Sequence, residues 1–331
     1  MERFALAAAV VLGFALTAAL CSLFVPLRRV LERREQQQQP VQLEQPRPAP
    51  LRAPLWGGLC AAAGTVAAVG VGWLAACVGQ PELLGSEGRL MTRLLTALAG
   101  ALAFGAVGLA EDLARMCSPA ALGLRRDVRL LLEALAAAFV LLLLRAAGCL
   151  PRGLGVPGAG YVLLGSAVPF LWAVLMVTLA ECARIAERDE GTVCGAAFVA
   201  MLALMMAEAG LGVSGLAVLP AALAGALVAL GLWAFPPAKL GVGCCGSLLA
   251  AGAIGCIPLS LDMTSLTVPL ALPFWAAGGL LAAQLLCAKR TGKPLRCWVK
   301  KHKMSPETVF LCSFALSAVG YVLALALLRW C

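Results

Sequence analysis

The chain has 331 residues, of which 62% are apolar and 13% charged, with a mean hydropathy of +0.93. That balance excludes an assembly of ordinary water-soluble domains and places the chain in a bilayer. The net charge of +9 comes without a basic patch interleaved with aromatics, so nucleic acid is excluded as a partner and anionic membrane lipids or a phosphorylated substrate are favoured.

Apolar runs of about 18 to 22 residues, each sufficient for roughly 30 Å of hydrocarbon, recur from end to end. They predict an all-α polytopic membrane protein with ten transmembrane helices near 4–25, 56–77, 92–110, 128–147, 160–180, 194–211, 214–235, 244–261, 267–288 and 308–329. Residues 1–331 read as one integral membrane domain. The first run is too long for the core of a signal peptide, and its positive charges follow it rather than precede it. Leu20 directly before Cys21 also argues against a lipoprotein site, so an uncleaved helix is expected. Between the first two spans, "REQQQQPVQLEQPRPAPLRAP", residues 34–54, has the Gln/Pro bias of a flexible loop. Abundant Ala and Gly inside the spans predict close helix packing.

The loops that follow the odd-numbered spans hold 20 of the 26 basic residues. By the positive-inside rule these loops are cytoplasmic and both termini lie outside. Fourteen cysteines lie mostly in spans or cytoplasmic loops, where thiols stay reduced, and read as small packing residues. The vicinal pair Cys244 and Cys245 stands apart from them.

Four cytoplasmic loops collect the polar chemistry. Glu111, Asp112, Asp127 and Glu133 surround the third; Glu181, Glu187, Asp189 and Glu190 crowd the fifth. The seventh supplies "KLGVGCCGS", residues 239–247, a glycine turn opening into a helix, and the ninth supplies "KRTGKPLRCWVKKHKM", residues 289–304, with the only histidine, His302. Paired acids can hold Mg²⁺ against a diphosphate, backbone N–H groups at a helix start can hold an anion, and Lys or Arg can neutralise the remaining charge. The same loop charges also serve topology alone.

The order of these stretches resembles the polyprenyl-phosphate N-acetylhexosamine-1-phosphate transferase superfamily, most closely its phospho-N-acetylmuramoyl-pentapeptide transferases. "APLWGGL" (53–59) resembles the Pro-Thr-Met-Gly-Gly segment that opens the second span. "GLAEDLARM" (108–116) resembles Gly-Phe-x-Asp-Asp-x-x-Lys, with Glu111 and Asp112 at the paired aspartates and Arg115 at the lysine. "GLRRDVRLLLEA" (123–134) continues it, with Arg129 at a second lysine and Glu133 at a glutamine. In "ECARIAERDEGTVCG" (181–195), Glu187 and Glu190 fall on aspartates, while Glu181 and Arg184 replace asparagines. "PAKLGVGCCGSL" (237–248) resembles Pro-Ala-x-x-Phe-Met-Gly-Asp-x-Gly-Ser-Leu, with Cys244 at the metal-binding aspartate. The ninth loop resembles a Lys-x-Thr-Gly-Lys run leading to three histidines, of which His302 remains, flanked by Lys300 and Lys301.

The resemblance implies transfer of a sugar-1-phosphate from a UDP-linked amino sugar to undecaprenyl phosphate in peptidoglycan or cell-envelope synthesis, with Mg²⁺ bridging the diphosphate. It also implies a homodimer in a bacterial plasma membrane, its active face cytoplasmic. Glu111, Asp112, Glu187, Glu190 and His302 then stand at catalytic positions, Arg115, Arg129, Arg184, Lys300 and Lys301 at substrate-binding ones, and Asp112 with Glu187 at the metal. The departures weaken the metal set. Three aspartates have become glutamates, and Cys244 offers a thiol to a hard cation that binds oxygen. Arg184 brings a fixed positive charge, and paired with Glu187 or Glu111 it would make the site stable without metal. Three other readings stand beside an active transferase. One is a non-catalytic lipid-binding or regulatory relative. Another is a switch to Zn²⁺ through Cys244, Cys245 and His302. The third is a transporter, which the scarcity of polar residues within the spans disfavours.

Overall fold

A computed structural model describes residues 2–38, 56–79, 89–117, 123–151, 153–156, 160–163, 165, 167–187, 191–213, 215–235, 238–291 and 306–330. Its helices are α1 (Glu2–Gln38), α2 (Gly57–Gly79), α3 (Arg89–Cys117), α4 (Arg126–Ala146), α5 (Ala167–Ala186), α6 (Thr192–Gly210), α7 (Val218–Ala234), α8 (Gly243–Ser260), α9 (Thr267–Leu270), α10 (Leu272–Thr291) and α11 (Pro306–Trp330). Each of the ten expected spans has a helix at its place. Seven of these helices are long and apolar enough to cross a membrane, or up to eight with a bent pair counted as one span. The protein is a polytopic helical membrane protein.

The remaining expected spans depart for physical reasons. The helix α7 has 17 residues and falls just short of the usual length, and α4 carries Arg126, Asp127, Arg129, Glu133 and Arg145. The span expected over 267–288 is broken: a 63° bend separates Thr264–Leu270 from Leu272–Ala283, where Pro269 and Pro273 interrupt the helical hydrogen-bond ladder. The span expected from 160 starts instead at Ala167, because the glycine-rich stretch before it pairs as an antiparallel hairpin, β1 (Gly153–Val156) with β2 (Gly160–Leu163). The loop expected over 34–54 begins late. Glu, Gln and Arg are good helix formers, so α1 continues through Gln38 towards Pro40; the rest of that loop lies outside the described residues.

The architecture is centred on α8, every residue of which is buried. A helix without a polar face must be enclosed on all sides, and small residues make the enclosure possible. A Cβ on Gly58 would overlap the Gly246 amide, and one on Gly108 the Cys244 carbonyl. Gly252 lies against Ala101 and Phe104, and Trp172 donates its indole N–H to the Gly255 carbonyl at 3.2 Å. A second close crossing joins α1 to α7, where Gly13 faces the Ala222 carbonyl and Gly225 the Val10 carbonyl. The cysteines whose side chains are described are free thiols. Most are buried, among them Cys21, Cys60, Cys194 and Cys256, as packing residues should be. Large apolar side chains such as Phe4, Phe170, Leu142 and Leu311 are exposed, an outer surface suited to lipid.

Candidate functional site

The last turns of α3 and α5, the first turns of α4 and the N-terminus of α8 meet in one charged cluster. It is built on a capping interaction. A helix leaves its first backbone N–H groups without intrahelical partners, and at α8 neither Val242 nor any neighbour in sequence caps them. Asp112 does so from across the interface. Its Oδ1 accepts the Cys244 amide at 3.0 Å and its Oδ2 the Cys245 amide at 2.9 Å. A carboxylate against the positive end of a helix dipole is also favourably placed. Gly243 makes the approach possible: its φ of 72° turns the chain into α8 through a conformation that costs little only for glycine.

Around this cap the acids are interleaved with arginines. Helical spacing places Glu111, Asp112 and Arg115 within one turn, and Arg115 Nη2 donates to Glu111 Oε1 at 2.7 Å. The other arm of that guanidinium, Nη1, lies 3.9 Å from Asp112 Oδ1 and 3.8 Å from Glu187 Oε2. At roughly 4 Å and an effective dielectric of about 20, each such contact contributes about 4 kcal/mol of gross attraction, offset by desolvation. The Cys244 thiol donates to Glu187 Oε2 at 3.1 Å, and the Ser247 hydroxyl donates to the Cys244 carbonyl at 3.1 Å.

A second layer lies beside the first. Arg129 Nε donates to Glu181 Oε1 at 2.7 Å and Arg184 Nη2 to Glu181 Oε2 at 2.6 Å, so one carboxylate joins two guanidiniums. Arg129 Nη1 is 3.6 Å from Glu111 Oε1, which links the layers. Glu133, one turn beyond Arg129, is fully buried, and among the described residues both its oxygens lack a hydrogen-bond partner, as does Glu111 Oε2. Among the described residues, no three His, Cys, Asp or Glu side chains converge as a set of metal ligands.

Of the residues singled out in sequence, the structure brings together Glu111, Asp112, Arg115, Arg129, Arg184, Glu187 and Cys244. Glu190, Lys300, Lys301 and His302 lie outside the described residues. The guanidinium among Glu111, Asp112 and Glu187 belongs to Arg115; Arg184 turns to Glu181, three residues back on its own helix. Sequence reasoning did not include Glu181 and Glu133 among the site residues. The Glu181–Arg184 spacing of i,i+3 was a usable signal for the first, whereas the Arg129–Glu181 contact spans 52 residues and has none.

Among the described residues, a fully buried helix with a charged cluster at its N-terminus, where α3, α4, α5 and α8 meet, defines a polytopic membrane protein with a buried polar site. Residues 94–262 match the profile of glycosyl transferase family 4, a stretch that begins in α3, ends just past α8 and contains every member of the cluster. Since the match covers just over half the chain, the protein belongs to that family, within the polyprenyl-phosphate sugar-phosphate transferase superfamily that its motifs resemble. No curated protein matches the chain.

Proposed function

We propose that this protein is a membrane sugar-phosphate transferase relative of the phospho-N-acetylmuramoyl-pentapeptide transferase type in which the family reaction is reduced or lost. The reaction in question moves a sugar-1-phosphate from a UDP-linked amino sugar to undecaprenyl phosphate and releases UMP. The chain would lie in a bacterial plasma membrane as a homodimer, with the charged cluster at the cytoplasmic face. The observation that carries the reading is Cys244. At the position that resembles the family's metal-binding aspartate it presents a thiol, and that thiol is hydrogen-bonded to Glu187, a second acid of the same set. Phosphoryl transfer rests on positioning and charge neutralisation, so loss of one oxygen donor and enlargement of three others bear directly on rate.

A second reading, a lipid-binding or regulatory partner in cell-envelope synthesis, is supported by what has been kept. The glycine contacts Gly58–Gly246 and Gly108–Cys244 preserve the scaffold around α8, while the donor side chains differ.

The test is Mg²⁺-dependent UMP release by the purified protein in detergent, given undecaprenyl phosphate and a panel of UDP-linked amino sugars. No release above a protein-free blank is expected. Release that depends on undecaprenyl phosphate and disappears in Asp112→Asn, with the variant shown to be folded, would refute the loss of chemistry. Retained binding of undecaprenyl phosphate without release would favour the second reading.

A further inference from the structure

We infer that Arg115 stands where a divalent cation would have to sit, and that the cluster of Glu111, Asp112, Glu187 and Cys244 closes without a metal ion. The inference rests on the family reading of this site, because that reading makes Mg²⁺ the expected occupant.

The donor chemistry is the argument. Magnesium takes about six oxygen ligands at about 2.1 Å in near-octahedral order and binds thiolate poorly. Here both oxygens of Asp112 already accept backbone amides at the start of α8. Glu187 Oε2 accepts the Cys244 thiol and Glu111 Oε1 accepts Arg115, which leaves Glu111 Oε2 as a buried oxygen without a hydrogen-bond partner among the described residues, a single donor where an octahedral ion needs about six. The three carboxylates nevertheless share one cation, since the Arg115 guanidinium lies within 3.9 Å of each of them. That is the electrostatic task of a bridging metal, performed by a planar group whose charge is permanent and whose N–H groups spread in a fork. A divalent ion would have to displace this side chain or stand beside it against its repulsion. Gly123 supports the arrangement: its φ is 68°, and a Cβ there would meet the Arg115 side-chain stem, so a glycine leaves room for the guanidinium to lie over the acids.

The experiment titrates Mn²⁺, an oxygen-seeking ion visible by electron paramagnetic resonance, into the metal-stripped full-length protein in detergent. With wild-type protein, the free Mn²⁺ signal is expected to match that of a detergent blank at every concentration, and the melting temperature is expected not to respond to Mg²⁺. Removal of the fixed charge in Arg115→Gln is expected to open the three carboxylates and withdraw about one equivalent of Mn²⁺ from the free signal. Wild-type uptake of one Mn²⁺ per chain, abolished by Asp112→Asn, would overturn the inference without any need for Arg115→Gln to fold. A folded Arg115→Gln protein that takes up no Mn²⁺ would equally overturn the assignment to Arg115. The two proposals fail separately. UMP release with no divalent ion present would refute the loss of chemistry and leave the metal-free cluster standing, whereas Mn²⁺ uptake without UMP release would do the reverse.

Discussion

Asp112 carries a structural duty whatever its chemical one. Each of its oxygens serves one orphan amide of α8, so Asp112→Asn must turn an NH₂ group towards an N–H donor at one of two positions. We expect a stability loss of about 1–3 kcal/mol, read as a lower melting temperature in detergent. Cys244 differs, because its amide and its thiol do separate things. Replacing it with Ala leaves the capped amide untouched and removes only the thiol donor to Glu187, for which a loss below about 1.5 kcal/mol is expected. If the two variants melt together, the cap is not what holds the start of α8.

The helices depend on where their glycines fall. Gly108 and Gly70 both lie in long apolar helices, and hydropathy gives no way to rank them. The fold does so: a Cβ on Gly108 would overlap the Cys244 carbonyl, while Gly70 has nothing within 4 Å. Gly108→Ala therefore forces α3 away from α8, with an expected loss of about 1–3 kcal/mol or more. Gly70→Ala is expected to be neutral or to stabilise by about 0.5–1 kcal/mol, since Ala loses less backbone freedom in a helix. Thermal unfolding of the pair, measured side by side, checks the direction of both. A strong loss in Gly70→Ala would mean that this face of α2 is covered by a partner.

Across the protein, the ion pairs tie helices that are distant in sequence. Glu181 holds Arg129 of α4 and Arg184 of α5, and Arg129 reaches on to Glu111 of α3. Glu181→Gln leaves two guanidiniums competing for one neutral oxygen. Because the Glu181 side chain is 22% exposed, solvent screening limits the expected loss to about 1–2 kcal/mol. The largely buried arginines should keep that loss nearly constant as salt is raised, a dependence that denaturation at two ionic strengths reads directly.

A helix at each of the ten expected places was legible from apolar runs, though only seven or eight of them are long and apolar enough to span, because a bilayer requires each segment to satisfy its own backbone and to show lipid an apolar surface. Local composition alone stopped short at the boundaries. The hairpin before Ala167 and the break near Ala271 arise where glycines and prolines outweigh hydropathy. The acids and arginines of the cluster were legible as residue types at motif spacings, since Glu111, Asp112 and Arg115 share one helical turn. Their partners were decided by the tertiary structure. Capping of α8 by Asp112 joins residues 132 and 133 positions apart, and the reach of Arg115 to Glu187, 72 positions on, depends on how the end of α3 meets the end of α5. Such contacts follow from the glycine-to-backbone crossings that set helix separation, which no periodicity along one strand of sequence encodes.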